Sequence, residues 1–167
     1  MRYKVLWIED GALTEVADFA GPLLSSMKYD LDVALNISDA IKKMNDAEFD
    51  VVIVDIRIPP GSDPEWEHLY EKSQSIKVSP RLGMQLLFGL LKPKEVEIKL
   101  KNIPQWIVPE KLGVFTVESE GEVKKELEAL CVNFYLQKKT NTPNTALLEF
   151  IEEIIKHSVK NSNKGGN

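Results

Sequence analysis

The stretch FDVVIVDIRIPPG, residues 49–61, decides how the rest of the chain is read. Its run VVIVDI is too short for a typical helix and rich in β-branched residues, which predicts a strand buried on both faces. That run carries Asp55, with Arg57 two residues on and Pro59-Pro60 behind it. An isolated carboxylate there would be costly to bury. Asp55 therefore either reaches water at the strand's end or has charged company.

Outward from this strand the pattern alternates. On the N-terminal side, KVLWI (4–8) is a short apolar run that stops at Glu9-Asp10. EVADFAGPLLSSM (15–27) has helical spacing through Val16, Phe19, Leu23 and Leu24, with a kink expected at Gly21-Pro22. DLDVAL (30–35) alternates like a strand near a sheet edge, and Ser38 is the expected cap of a helix carrying Ala40, Ile41 and Met44. On the C-terminal side, RLGMQLLFGLL (81–91) reads as a helix, LGVFTV (112–117) as a strand, SEGEVKKELEALCV (119–132) as a helix and NFYLQ (133–137) as a strand. Thr142-Pro143 forms a cap-plus-first-residue pair for a last helix whose face is Ala146, Leu147, Phe150, Ile151, Ile154 and Ile155. Two segments break the rhythm. Residues 61–80 are polar and punctuated by proline, and residues 92–111 are irregular, although EVEIKLK within them alternates as a small extra strand would. No internal repeat is present. Five strands and five helices in alternation predict a parallel sheet with helices on both faces.

Composition narrows the function. At 167 residues one domain is expected, large enough to bury a core without staples. A net charge of −5 without a basic stripe offers no footprint for nucleic acid. The single cysteine excludes an intramolecular disulfide, and Cys131 is read as a buried small apolar residue. No apolar run reaches membrane-spanning length, and acids interrupt MRYKVLWIEDG too early for a signal peptide, so a cytoplasmic protein is expected. His68 and His157 lack metal-ligand spacing and are assigned to the surface. Trp66, Tyr70 and Trp106 lie in the two irregular segments, either anchoring them or forming a partner surface. The tail KNSNKGGN is expected to be disordered.

In parallel sheets of this kind ligands sit outside the carboxyl ends of the strands. Those ends carry Glu9-Asp10, Asp55, Thr116 and Lys138. Three carboxylates on one rim repel; at an effective dielectric near ~20 each pair ~4 Å apart costs on the order of 4 kcal/mol. Mg²⁺ is the natural remedy, being hard, oxygen-loving and content with one or two carboxylates plus water. Such a site could take a phosphoryl group on Asp55, with Lys138 as a point charge and Thr116 as a hydrogen-bond donor.

At these residues the sequence resembles the receiver domains of two-component response regulators. VLWIEDG is similar to that family's first strand and acidic pair, and VVIVDIRIPPG to its phosphoacceptor strand, with Pro59 four residues past Asp55. LGMQLL (82–87) is similar to the start of its third helix, NISDAIKKM (36–44) to the entry of its second, and FTVESEGEVKKELEALCVNFYLQKK (115–139) to its unit from fourth to fifth strand. The resemblance implies a flavodoxin-like five-stranded sheet of order 2-1-3-4-5, spanning residues 1–157 with insertions at about 61–80 and 92–111 and a tail at 158–167. It implies Asp55 as phosphoacceptor assisted by Thr116 and Lys138, and Mg²⁺ held by Glu9, Asp10, Asp55 and the backbone carbonyl of Arg57. It implies Thr116 and Tyr135 as the switch pair. Arg57, Val117 and Glu118 occupy positions that govern access to the acceptor; Arg57 and Glu118 could pair across the site, and Val117 could crowd the phosphoryl group. The segment 61–80 could cover the acceptor like a lid. Implied partners are a histidine kinase or phosphotransfer protein upstream and another protein downstream, with no nucleic acid or membrane. No output domain is expected after the last helix, and no independent enzyme beyond self-phosphorylation and slow autodephosphorylation. Two departures stand out. Lys139 replaces the proline usual after the lysine, which argues against the cis peptide customary there, and Leu82 replaces the usual Asp before Gly83.

Blander readings exist for each residue alone. Glu9 and Asp10 could cap the first helix, Lys138 could be a solvated charge, Ser119 rivals Thr116, and Tyr135 could be plain core. The joint pattern favours a phosphoacceptor module of a phosphorelay. The alternative is a degenerate receiver that binds proteins without phosphorylation. A haloacid-dehalogenase-type phosphohydrolase would need a second Asp two residues after the nucleophile, where this chain has Arg57.

Overall fold

A computed structural model describes residues 1–77 and 80–164, with side chains described through residue 161. Five strands, β1 (Tyr3–Ile8), β2 (Tyr29–Ala34), β3 (Val51–Val54), β4 (Leu112–Thr116) and β5 (Phe134–Gln137), form one parallel sheet in the order β2-β1-β3-β4-β5. The helices are α1 (Ala20–Ser25), α2 (Ile37–Asp46), α3 (Pro64–Ser75), α4 (Leu82–Leu91), α5 (Glu120–Leu130) and α6 (Ala146–Lys164). Alternate residues of the central strands feed two cores. Leu6, Ile8, Val52, Val54, Leu112 and Val114 pack with α2, α4 and α5 on one face. Val5, Trp7, Val51, Ile53 and Phe115 pack with α1 and α6 on the other. The sheet is thus covered on both sides, as its apolar strands require.

The two prolines behind Asp55 have a structural task. Their carbonyls accept the first two N–H groups of α2, Ile37 N to Pro59 O at 3.0 Å and Ser38 N to Pro60 O at 3.1 Å. Asn36, not Ser38, is the N-cap, its side chain accepting the Asp39 N–H at 2.8 Å. Ser38 is occupied elsewhere: its hydroxyl donates to Pro60 O at 2.9 Å and accepts the Asp63 N–H at 3.0 Å. The Ile37, Ser38 and Asp39 N–H groups, orphan donors of the α2 terminus, are thus satisfied, and the intrahelical ladder begins with Ala40 N to Asn36 O. Gly61, with φ 82°, completes this corner; a Cβ there would stand 2.3 Å from Asn36 Oδ1.

Several expectations need correction. The first helix is short, because residues 11–16 turn back on the Gly11 carbonyl and α1 begins only at Ala20, so that Pro22 falls in its first turn rather than at a mid-helix kink. Residues 61–80 contain a helix, α3, capped by Asp63 and opened by Pro64; Val78 and Ser79 lie outside the described residues. EVEIKLK forms no strand. Its alternation serves instead to lay Ile98 and Leu100, with Ile103 and Trp106 further on, against the first core. The two irregular segments meet: Trp66 is fully buried, and with Asp63 and Glu65 it lines a cavity of about 220 Å³ whose other wall includes Ile98 and Leu100. Trp66 is therefore an anchor, Tyr70 packs on the same core, and Trp106 sits between Phe49 and the Lys111 ammonium. Thr142-Pro143 forms a turn ahead of α6, with Ala146 N bonded to Pro143 O, and does not cap the helix directly.

Cys131 is exposed rather than buried, because it takes the left-handed position (φ 57°) that ends α5. The tail expected to be disordered is helical through Lys164, since extending a nucleated helix is cheap; residues 165–167 lie outside the described residues. His68 and His157 are exposed, the latter edge-on to Phe134. Among the described residues no peptide bond is cis and no helix is long and apolar enough to cross a membrane.

Candidate phosphoacceptor site

The carboxyl ends of β1, β3, β4 and β5 bring the expected chemistry to one rim. Asp55 follows the last residue of β3 and is 5% exposed; Glu9 follows β1 and is 3% exposed. Asp10 beside it is exposed. Lys138, just past β5, donates from Nζ to Asp55 Oδ2 at 2.9 Å and also contacts Glu9 Oε2. Its side chain is 9% exposed, so the three charges form a desolvated cluster. The other oxygen of Glu9 accepts the Gly11 N–H at 3.0 Å, and the Arg57 N–H approaches Asp55 Oδ1 at 3.4 Å. Asp55 thus has charged company, and it is buried because Lys138 is buried with it.

Oxygens of Glu9, Asp10 and Asp55 all lie within 4.8 Å of one another. An all-carboxylate oxygen set with one exposed member suits a hard cation such as Mg²⁺, which keeps part of its water shell. Burial pushes the Glu9 carboxyl up, Lys138 pulls it back and Asp55 pushes it up again, for a net rise from 4.5 to about 7. For Lys138 burial works against the charged form but Asp55 and Glu9 outweigh it, so its pKa lies above the usual lysine value and it stays charged across neutral pH. A carboxyl with a raised folded pKa contributes stability that is present below its unfolded pKa and lost as pH climbs through the folded one. In chelator-treated protein, urea unfolding should show the wild type losing up to about 3 kcal/mol relative to Glu9→Gln between pH 4.5 and 8. Parallel stability curves for the two proteins would refute this account of Glu9.

Thr116, the last residue of β4, is fully buried, and its Oγ1 accepts a long 3.5 Å bond from the Glu118 N–H. Tyr135 on β5 donates its hydroxyl to the Glu118 carbonyl at 2.6 Å. Val117 between them is 53% exposed. Arg57 and Glu118 pair, Nε to Oε1 at 3.2 Å. Reading the sequence missed what else holds Glu118: Arg81, just ahead of α4, donates from Nε at 2.9 Å and also bonds Glu126 on α5 at 2.6 Å. It also missed the closeness of Gly83, whose N–H donates to Ile56 O at 2.9 Å. A cavity of about 240 Å³ beside the cluster is lined by Asp10, Arg57, Ile58, Pro59, Tyr70 and Pro80, so the segment after Gly61 supplies one wall of the entrance.

No protein-family model matches the sequence, and no curated protein matches it. Solved structures do match. A CheY-like response regulator receiver domain protein from Methanospirillum hungatei JF-1 aligns over 96% of this chain and 99% of its own, with 14% identity and a TM-score of 0.60. A signal receiver domain of a Luxo repressor protein from Vibrio parahaemolyticus covers 100% of both chains, with 12% identity and a TM-score of 0.61. Chemotaxis protein CheY4 of Vibrio cholerae aligns over 92% of this chain and 99% of its own, with 17% identity and a TM-score of 0.56. At these identities the likeness is one of fold, and the strand order agrees with it: the chain has the flavodoxin-like fold seen in these receiver domains.

Proposed function

We propose that this protein is a cytoplasmic phosphoacceptor signalling module of a two-component phosphorelay, phosphorylated on Asp55 in a Mg²⁺-dependent step. The observation that carries the reading is the buried Asp55–Lys138–Glu9 cluster with Asp10 exposed beside it, at the strand ends of a receiver fold. Glu9, Asp10, Asp55 and the Arg57 carbonyl would hold the ion, and a bound ion would supply positive charge to offset phosphoryl oxygens and the crowded carboxylates. An Asp55 oxygen attacks the phosphorus of a phosphoramidate or acyl phosphate. The new O–P bond forms as the donor's P–N or P–O bond breaks, and the donor leaves with that electron pair. Lys138 faces the transferred group as a fixed charge, and the Thr116 hydroxyl donates to one of its oxygens. Thr116 and Tyr135, tied together through Glu118, are the pair that alters the face made by α5, β5 and α6. The upstream partner is a histidine kinase or phosphotransfer protein, and the downstream one a protein that binds that surface. Hydrolysis of the acyl phosphate by water is the only further chemistry, and it is slow.

The test is intact-mass measurement after incubation with Mg²⁺ and acetyl phosphate. One added phosphoryl group is expected on the wild type and none on Asp55→Asn. Where small donors are excluded, Mg²⁺ with beryllofluoride is expected to raise the melting temperature of the wild type only. Absence of both effects would sink phosphoacceptance and leave a receiver fold used for protein binding alone, a reading favoured by the way Glu118 already neutralises Arg57.

A further inference from the structure

Glu118 is a buried carboxylate that the phosphoacceptor chemistry does not use. Its side chain is 2% exposed, and two guanidinium groups compensate it. They are not equivalent. Arg81 meets both carboxylate oxygens, at 3.2 and 2.9 Å, and is itself held by Glu126 on α5. Arg57 makes one contact, at 3.2 Å, with a side chain 49% exposed. Its own backbone N–H is aimed at Asp55 Oδ1, and its side chain lines the cavity beside Asp10. Arg81 alone can keep Glu118 compensated; Arg57 is the partner that can leave. The four groups Arg57, Glu118, Arg81 and Glu126 sum to zero charge, so a dianionic group arriving on Asp55 offers Arg57 a stronger partner than the one it has.

We propose that Glu118 and Arg81 are positioning residues for the acceptor, acting through Arg57: Glu118 parks the Arg57 guanidinium away from Asp55, and Arg81 weakens that hold enough for Arg57 to transfer to a phosphoryl group. This rests on the phosphoacceptor reading. The exchange also carries the state of Asp55 outward, because losing Arg57 leaves the Glu118 carboxylate held by Arg81 and through it tied to Glu126 on α5. Conversely, a ligand that draws Glu126 away from Arg81 alters how firmly Arg57 is held, as reciprocal coupling requires.

The experiment is titration of the full chain with beryllofluoride at saturating Mg²⁺, followed by thermal shift and by amide exchange over residues 119–126. Arg57→Ala, at a half-exposed side chain, should fold normally and bind the probe about 3-fold more weakly. Glu118→Gln should bind it about 3-fold more tightly, and Arg81→Gln about 3-fold more weakly, because Glu118 then holds Arg57 alone. The gain in Glu118→Gln must vanish when Arg57→Ala is added; a merely structural Glu118 would not show that dependence. Binding equal to wild type in Arg57→Ala overturns the exchange. A wild type with no Mg²⁺-dependent response at all overturns the phosphoacceptor reading, and the exchange with it.

Discussion

Lys138→Met is expected to destabilise the metal-free protein by about 3–5 kcal/mol at neutral pH, the usual cost of stripping one partner from a buried ionic cluster. Methionine keeps most of the packing volume, so the loss isolates charge. Without the ammonium, Glu9 and Asp55 face each other at the sheet rim, with the Gly11 and Arg57 N–H groups as their remaining hydrogen-bond donors among the described residues. The penalty should shrink toward acid pH as the Glu9 carboxyl takes up a proton, and Mg²⁺ should restore more stability to the variant than it adds to the wild type. Chemical denaturation with and without Mg²⁺, at two pH values, measures both effects. A loss under about 1 kcal/mol that ignores pH would show that the cluster is solvated and that its burial has been misread.

Gly83→Ala has an effect of similar size and a different origin. A Cβ at this position would lie 1.9 Å from the Asp55 carbonyl oxygen and 2.9 Å from both Asp55 C and Ile56 Cα. Those are backbone atoms that cannot rotate aside, and Gly83 N is bonded to Ile56 O in the same contact. Either α4 retreats or the turn after β3 moves, at a cost of about 3 kcal/mol or more. Moving that turn displaces Asp55, the proposed acceptor, so the beryllofluoride response should be lost together with stability. Gly89→Ala supplies the control. It lies on the same helix, its Cβ would meet only the Leu100 side chain at 3.4 Å, and it should be neutral or stabilising by up to about 1 kcal/mol. Equal behaviour of the two variants would contradict the close approach at Gly83.

The parts of the molecule that were legible in the sequence share a physical origin. Each strand is an apolar run flanked by polar residues, and alternation of strands with helices leaves few ways to arrange a parallel sheet. Once Asp55, Glu9, Thr116 and Lys138 are read as strand ends, the topology alone gathers them. What was not legible depends on contacts without a period. Arg81 and Glu118 are 37 residues apart and Arg81 and Glu126 are 45 apart, and no spacing rule links such partners. Ser38 looked like the cap of α2, yet Pro60 and Asp63 engage its hydroxyl while Asn36 caps the helix. The alternation of Ile98 and Leu100 resembles a strand, but these residues rest on side chains of the helical layer. Cys131 shows apolar preference yielding to backbone geometry.

That last residue has a practical consequence. It is the only thiol in the chain, it is solvent-accessible, and its backbone is fixed where α5 stops. A maleimide dye or nitroxide therefore attaches at one defined point without mutagenesis. Coupled to a second label on a surface that does not respond, it becomes a ruler for any displacement of α5.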